Sequence, residues 1–228
     1  TTGLRIFERL ENRSDIKLIK LPEELRKDSY ARSDAINSAD IVFLCLPDAA
    51  AIESVALVEN PNTVVIDTST AHRTNPEFAY GFAELSAEHR EKIKTGDKIA
   101  VPGCHASGFI ALIYPLVESG ILGANENFSC FSLTGYSGGG KKMIAEYEEE
   151  NRDMLLDAPR MYGITQSHKH LPEIQKVCGL DKAPVFCPIV APFYSGMEVT
   201  VPLFASQLNN GFTLEDVKNA YKNILNNC

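Results

Sequence analysis

The sequence predicts an α/β protein in two parts: a Rossmann-like, mostly parallel sheet with intervening helices, then a truncated α+β domain. Three observations carry this. Short apolar runs alternate with helical patterns over the first hundred residues, the rhythm of a parallel sheet. After Gly123 the rhythm changes, and strand-like stretches follow one another without a helix between them. The 228 residues are 44% hydrophobic and 23% charged, enough apolar material to build a core without disulfide or metal staples.

Taken in order, Leu4, Ile6, Phe7 and Leu10 suit one face of a helix. Ile16–Leu21 alternates weakly and predicts a strand. Ala39–Leu46 is a short apolar run followed by Pro47-Asp48 and an Ala-rich helix. Thr63–Ile66 repeats the pattern and leads into the turn-rich Asp67–Arg73. Glu84–Ile93 reads as a helix with a polar face, and Lys98–Val101 as a strand halted by Pro102-Gly103. Phe109, Ile110, Leu112, Ile113, Leu116 and Val117 mark a buried helix closed by Gly120.

Phe128–Leu133 reads as a strand, and Ser137–Gly140 leads into a charged helix running to Glu150. Pro184–Val190 and Met197–Phe204 follow as strands. Thr213 starts a last helix, with Asp216 as its capping-box partner. The expected domains are 1–102 and 103–228. The chain opens without Met on Thr1-Thr2-Gly3 and stops just after a helix at Asn226-Asn227-Cys228, so a piece of a longer protein is expected.

Composition excludes several classes. Twenty-two Lys and Arg against 30 Asp and Glu give a net charge of −8. A nucleic-acid binder draws its affinity from neutralising phosphates, so that class is set aside. The longest apolar runs, Ile41–Leu46 and Phe109–Val117, are too short to span a bilayer. No signal-peptide pattern opens the chain. The cysteines at 45, 104, 130, 178, 187 and 228 are scattered without a CxxC pair, as in a reduced, cytoplasmic protein. Cys45 and Cys130 lie in apolar runs and read as small core residues. No metal site is expected.

The chemistry concentrates in Val101-Pro102-Gly103-Cys104-His105-Ala106-Ser107. A strand ends, Pro-Gly turns the chain, and a cysteine stands where a buried helix begins. Unpaired N–H groups and the partial positive charge of a helix start favour thiolate over thiol. Thiolate is the nucleophile needed for acyl transfer. Ser167-His168-Lys169-His170-Leu171-Pro172-Glu173 supplies the complementary acid/base type. Read as extended backbone, it puts His168 and His170 on one side. Glu173 either orients an imidazole or occupies the first turn of the next helix.

Two loops suit anions. Arg73 closes Asp67–Arg73, at the carboxyl end of a predicted parallel strand, where open α/β sheets bind ligands. Ser137–Gly140 followed by Lys141 and Lys142 offers backbone N–H groups and two cations, although on the residues alone a flexible turn with a solvated basic helix end is the favoured reading.

In order and spacing, TTGLRIFERL, CLPDAA, DTSTAHR, YGFAEL, VPGCHASGF, GYSGGGKKMI and HKHLPEI resemble the N-acetyl-γ-glutamyl-phosphate reductases, in their shorter form. The resemblance runs through nearly the whole chain. It implies a Rossmann domain, a C-terminal domain for catalysis and subunit contact, and NADP as cofactor. It implies NADPH-dependent reduction of an acyl phosphate in arginine biosynthesis, through a cysteine thioester, by a homo-oligomer. Cys104 is then the nucleophile and His168 or His170 the acid/base. His168 is preferred, since His170 adjoins Leu171-Pro172 and suits anchoring the next helix. Substrate contacts fall on Arg73, Ser137, Gly138, Lys141 and Lys142. Cofactor contacts fall on Thr1, Thr2, Gly3, Leu46, Pro47, Asp48 and Ser69.

The family's first strand, its opening glycines and a C-terminal segment have no counterpart here. Arg26 and Lys27 suit a 2′-phosphate and Glu23 and Glu24 a ribose diol, so residues alone leave NADP and NAD open. Competing readings are an aspartate-semialdehyde or glyceraldehyde-phosphate dehydrogenase-like enzyme, a non-catalytic NADP-binding regulator and a cysteine hydrolase.

Overall fold

The structure, a computed structural model, describes residues 2–225. The chain divides into two compact units. The first is Thr2–Ala83 with Ala87–Pro102; the second is Glu84–Ser86 with 103–225.

The first unit is a parallel α/β layer. Its helices are α1 (Thr2–Leu10), α2 (Ser29–Asn37), α3 (Asp48–Val55) and α4 (Ala87–Thr95). Its strands are β1 (Ile41–Leu44), β2 (Val64–Asp67), β3 (Ala79–Tyr80) and β4 (Lys98–Ala100). They lie in the order β1-β2-β4-β3, every pair parallel. Leu44, Val65 and Ala100 from the strands are buried with Ile36 and Ala51 from the helices. Asn37, at the end of α2, bonds Leu57 O through its Nδ2 and takes the N–H groups of Glu59 and Asn60 through its Oδ1. It thereby fixes the connection leading into β2.

The strand expected at Ile16–Leu21 does not form. That stretch is irregular, and its residues are exposed or half-exposed. A weak alternation becomes a strand only beside a partner ladder, and none is present there among the described residues. Cys45, expected in the core, lies one residue past β1 and is half-buried.

The second unit is a mixed sheet with helices. It comprises α5 (Cys104–Glu118), β5 (Ser129–Gly135), α6 (Gly140–Glu148), β6 (Arg160–Met161), α7 (His170–Val177), β7 (Val185–Ala191), β8 (Met197–Thr200) and α8 (Leu214–Leu225). The order is β6-β7-β5-β8. β5 pairs with β7 in parallel over seven residues and with β8 antiparallel, and β6 joins β7 antiparallel. Cys130, Ser132 and Thr134 face inward on β5, and Phe186, Pro188 and Val190 on β7, while Phe131 and Val185 face outward.

Helix α5 is the core of this unit. Ala106, Phe109, Ile110, Ile113 and Leu116 are fully buried along it. Each of its large apolar side chains contributes about 1.5–3 kcal/mol of transfer free energy. Gly120, at φ 71°, stops the helix in the left-handed region. Gly108 lets α5 approach β8: a Cβ there would stand 2.3 Å from Val199 Cγ2. At the last helix, Thr213 N–H and hydroxyl both donate to Asp216, which supplies the carboxylate half of the expected capping box. Among the described residues no helix is long and apolar enough to cross a membrane.

Candidate active site

In the second unit, Gly103 caps α5 and Cys104 is its first helical residue, exposed. The N–H groups of the first turn have no partner within the helix and point toward the cysteine end. Gly103 N–H donates to Glu173 Oε1 at 2.7 Å, and Glu173 is 1% exposed in the first turn of α7. A buried carboxylate thus ties the turn before Cys104 to the helix that follows the histidine segment. Glu173 stands in the first turn of α7, the helix that His170 opens.

The His168–His170 stretch is not extended. His168 precedes the turn and His170 is the first residue of α7, with Leu171 N–H donating to His168 O at 2.9 Å. The two rings meet all the same, at 4.7 Å between centroids and 80° between planes. A turn has done what strand alternation was expected to do. His170 N–H donates to His168 Nδ1 at 3.2 Å, so a neutral His168 carries its proton on Nε2. Burial, with Lys169 adding a smaller push, lowers the His168 pKa. His170 is buried.

A third imidazole joins this pair. His105, next to Cys104, lies 5.8 Å from the His168 ring and 5.6 Å from the His170 ring, with Phe186 at 5.4 Å. Its Nδ1 is 2.6 Å from Ser132 Oγ and its Nε2 2.8 Å from Tyr162 Oη. Burial first, and the charge of His168 second, push its pKa down to about 4. Both ring nitrogens of His105 are engaged, so at most two of the three imidazoles could ligate a metal. Among the described residues no group of His, Cys, Asp or Glu is placed to hold one.

Sequence reasoning missed His105, Ser132 and Tyr162. His105 had a signal: it is the polar residue between a candidate nucleophile and an apolar helix. Tyr162 sits in a turn-rich stretch with no pattern of its own.

The 136–142 stretch forms a short 3₁₀ turn from Tyr136 to Gly139, and α6 starts at Gly140, φ 80°. Ser137 N–H donates to Tyr194 O. Gly138, Lys141 and Lys142 are exposed.

The first unit holds its own polar centre, in the Asp67–Arg73 loop. Asp67 is fully buried at the end of β2. It accepts Ser69 N–H at 2.9 Å, Ser69 Oγ–H at 2.6 Å and His72 Nδ1–H at 2.6 Å. His72 stacks on Phe78 at 4.3 Å. Arg73 donates from Nε to Val101 O and from Nη2 to Thr68 O, bracing the loop against the end of β4. Thr70 donates its N–H and hydroxyl to Asp48, which opens α3. Thr70 and Asp48 thus hold the loops at the carboxyl ends of β1 and β2 together, while Ser69 shapes its own loop through Asp67. Beside them, Leu46 is exposed and Pro47 caps α3. Thr2 and Gly3 open α1, and Thr1 lies outside the described residues.

Comparison with known proteins agrees with this architecture. Residues 2–93 match the semialdehyde dehydrogenase NAD binding domain and residues 104–228 the semialdehyde dehydrogenase dimerisation domain. Solved structures of similar fold include aspartate semialdehyde dehydrogenase II from Vibrio cholerae (TM-score 0.57, 16% identity, 81% of this chain and 60% of that one). The aspartate semialdehyde dehydrogenase of Francisella tularensis is another (TM-score 0.60, 16% identity, 86% of this chain and 65% of that one). The chain therefore spans about three-fifths of those structures, and at such identity they speak to fold alone. The two family matches place the chain in the semialdehyde dehydrogenase class of oxidoreductases.

Within that class, the N-acetyl-γ-glutamyl-phosphate reductase of Sinorhizobium medicae is 46% identical over 96% of this chain and 72% of its own length. That of Brucella ovis is 46% identical over 95% of this chain and 71% of its length. The chain belongs to the N-acetyl-γ-glutamyl-phosphate reductase family.

Proposed function

We propose that this chain carries out the NADPH-dependent reduction of N-acetyl-γ-glutamyl phosphate to N-acetylglutamate 5-semialdehyde and phosphate, in arginine biosynthesis. The observation that carries the reading is the exposed Cys104 at the first residue of α5, beside a histidine cluster in the same unit. The 46% identical relatives bear that reaction's name, which favours it over the aspartate-semialdehyde alternative.

Cys104 thiolate attacks the γ-acyl carbon. The bond from that carbon to the phosphate oxygen breaks, its electron pair leaves with phosphate, and a thioester remains on Cys104. N–H groups at the start of α5 stabilise the negative oxygen of the tetrahedral species. A histidine of the 168/170 pair gives a proton to the alkoxide of the thiohemiacetal and takes it back as the C–S bond breaks. Ser137, Gly138, Lys141 and Lys142 are the proposed phosphate contacts, with Arg73 acting from its braced loop. A bound nicotinamide supplies hydride to the thioester carbonyl carbon.

The paired loops of the first unit suit that group. Their polar side chains are spent on each other, leaving backbone N–H groups at the start of α3, apolar Leu46 and Pro47 to meet a dinucleotide. Thr1, Thr2, Gly3, Asp48 and Ser69 complete the proposed set, the last two by shaping the loops. NADP is the proposed nicotinamide, with Arg26 and Lys27 toward its 2′-phosphate. A homo-oligomer in the cytoplasm, made through the domain that matches a dimerisation model, completes the reading.

The test is reductase turnover of the full-length protein with each nicotinamide. Cys104→Ser is expected to abolish it, because a serine hydroxyl does not ionise near neutral pH. His168→Asn and His170→Asn, made separately, identify the acid/base as the one whose loss lowers kcat by about 10²–10⁴-fold. Full turnover in the Cys104→Ser protein would refute the reading.

A further inference from the structure

The three groups missed in the sequence form a chain of hydrogen bonds whose direction can be assigned by counting protons. Ser132 is 0% exposed, and its hydroxyl meets only His105 Nδ1 among the described residues. His105 is neutral at physiological pH, so one ring nitrogen donates and the other accepts. If Nδ1 carried the proton, the Ser132 O–H would be left in the core without an acceptor, at a cost of about 1–3 kcal/mol. With the proton on Nε2, Ser132 O–H donates to Nδ1 and Nε2–H donates to Tyr162 Oη. Every buried proton is then used. The one remaining donor in the chain is the O–H of half-buried Tyr162.

The donor lies at the residue that follows the nucleophile in sequence, since Tyr162 Oη is 2.8 Å from Nε2 of His105. Tyr162 follows β6 and is pinned by its N–H to Pro188 O at 3.0 Å. Its ring is 6.3 Å from His105 and 6.2 Å from His168. We propose that Ser132, His105 and Tyr162 form a one-way relay that turns the Tyr162 hydroxyl outward as a hydrogen-bond donor to negative charge at Cys104. This rests on Cys104 being the nucleophile. Ser132 and His105 are positioning residues; Tyr162 is the donor.

The electrostatics agree. Burial, then the charge of Cys104, push the Tyr162 pKa up to about 12, so the hydroxyl stays protonated and serves as donor rather than base. Beside the relay stand the rings of His168 and His170, 5.8 and 5.6 Å from that of His105, and Cys130 lies two residues before Ser132 on β5. Burial drives the Cys130 thiol up to about 12 and keeps it uncharged.

The test is the pH dependence of Cys104 alkylation by iodoacetamide, read by peptide mass mapping in the full chain. It reports thiolate formation without substrate or cofactor. Tyr162→Phe keeps the ring and removes only the donor. It is expected to raise the midpoint by about one pH unit, the scale of one hydrogen bond to a charged group. Ser132→Ala removes the hydroxyl that fixes the His105 proton on Nε2, so both tautomers become accessible and the Tyr162 hydroxyl turns inward part of the time; it should raise the midpoint in the same direction by less. Far-UV circular dichroism confirms that each variant is folded; if Ser132→Ala is not, His105→Gln takes its place with the same expected shift. A midpoint unchanged in Tyr162→Phe overturns the donor, and a shift there with none in the relay variant overturns the relay. If wild-type Cys104 alkylates no faster than Cys45, the nucleophile reading itself fails, and the relay with it.

Discussion

Each unit of the molecule buries an imidazole in a polar cluster, and the two clusters are built differently. In the first, His72 sits 2.6 Å from the buried carboxylate of Asp67, which also takes two protons from Ser69. In the second, His105 sits between two neutral hydroxyls, Ser132 and Tyr162. A carboxylate accepts and never donates when ionised, so His72 Nδ1 must carry a proton and its orientation is fixed. Hydroxyls both accept and donate, so His105 has a choice of tautomer that the surrounding proton count must settle. The lesson is that burial alone does not define a histidine. Its partner decides whether it locks a loop or passes a hydrogen bond along.

The sharpest way to break this comparison is to remove the carboxylate. Asp67→Ala strips three donors of their acceptor inside the first unit and leaves His72 facing a buried gap. A loss of about 3 kcal/mol or more is expected, since three donors lose their acceptor at about 1–3 kcal/mol for each one left unsatisfied. Urea unfolding would measure it, and a loss below about 1 kcal/mol would mean that the Asp67 cluster is not a lock.

The second test reads the neutral cluster through pH. The folded-state pKa of His105 lies near 4, below the ordinary histidine value of about 6.5. Between those values the unfolded chain binds a proton that the folded chain refuses. The stabilising contribution is therefore full above about pH 6.5 and is lost as pH falls toward 4. It amounts to something on the order of 3 kcal/mol over that window. His105→Gln should flatten this part of the stability–pH curve, and an identical curve in the variant would show that His105 is not held neutral.

The smallest effect belongs to the carboxylate of the second unit. Glu173 holds Gly103 N–H, not the nucleophile itself. Glu173→Gln keeps an acceptor oxygen and should stay near wild type. Glu173→Ala should cost about 1–3 kcal/mol for the unsatisfied N–H and loosen the turn before Cys104. Equal melting temperatures for the two variants would show that the bond contributes nothing.

The sequence made the α/β rhythm, the two-part organisation and the Cys104 turn readable, because each rests on local pattern. Period-2 and period-3.6 apolar spacing, Pro-Gly after a strand and Gly after a helix act over a few residues and need no partner. The motif order also carried the family, since spacing along a chain survives without coordinates. Tertiary structure decided the rest. Ile16–Leu21 alternates like a strand and forms none, because a strand exists only when another lies beside it. His168 and His170 meet through a turn rather than through strand alternation. Ser132, His105 and Tyr162 are 27 and 57 residues apart along the chain, so no spacing rule joins them. Their hydrogen bonds form only where α5, β5 and the end of β6 converge, and a proton's direction depends on what every neighbour in that space can accept.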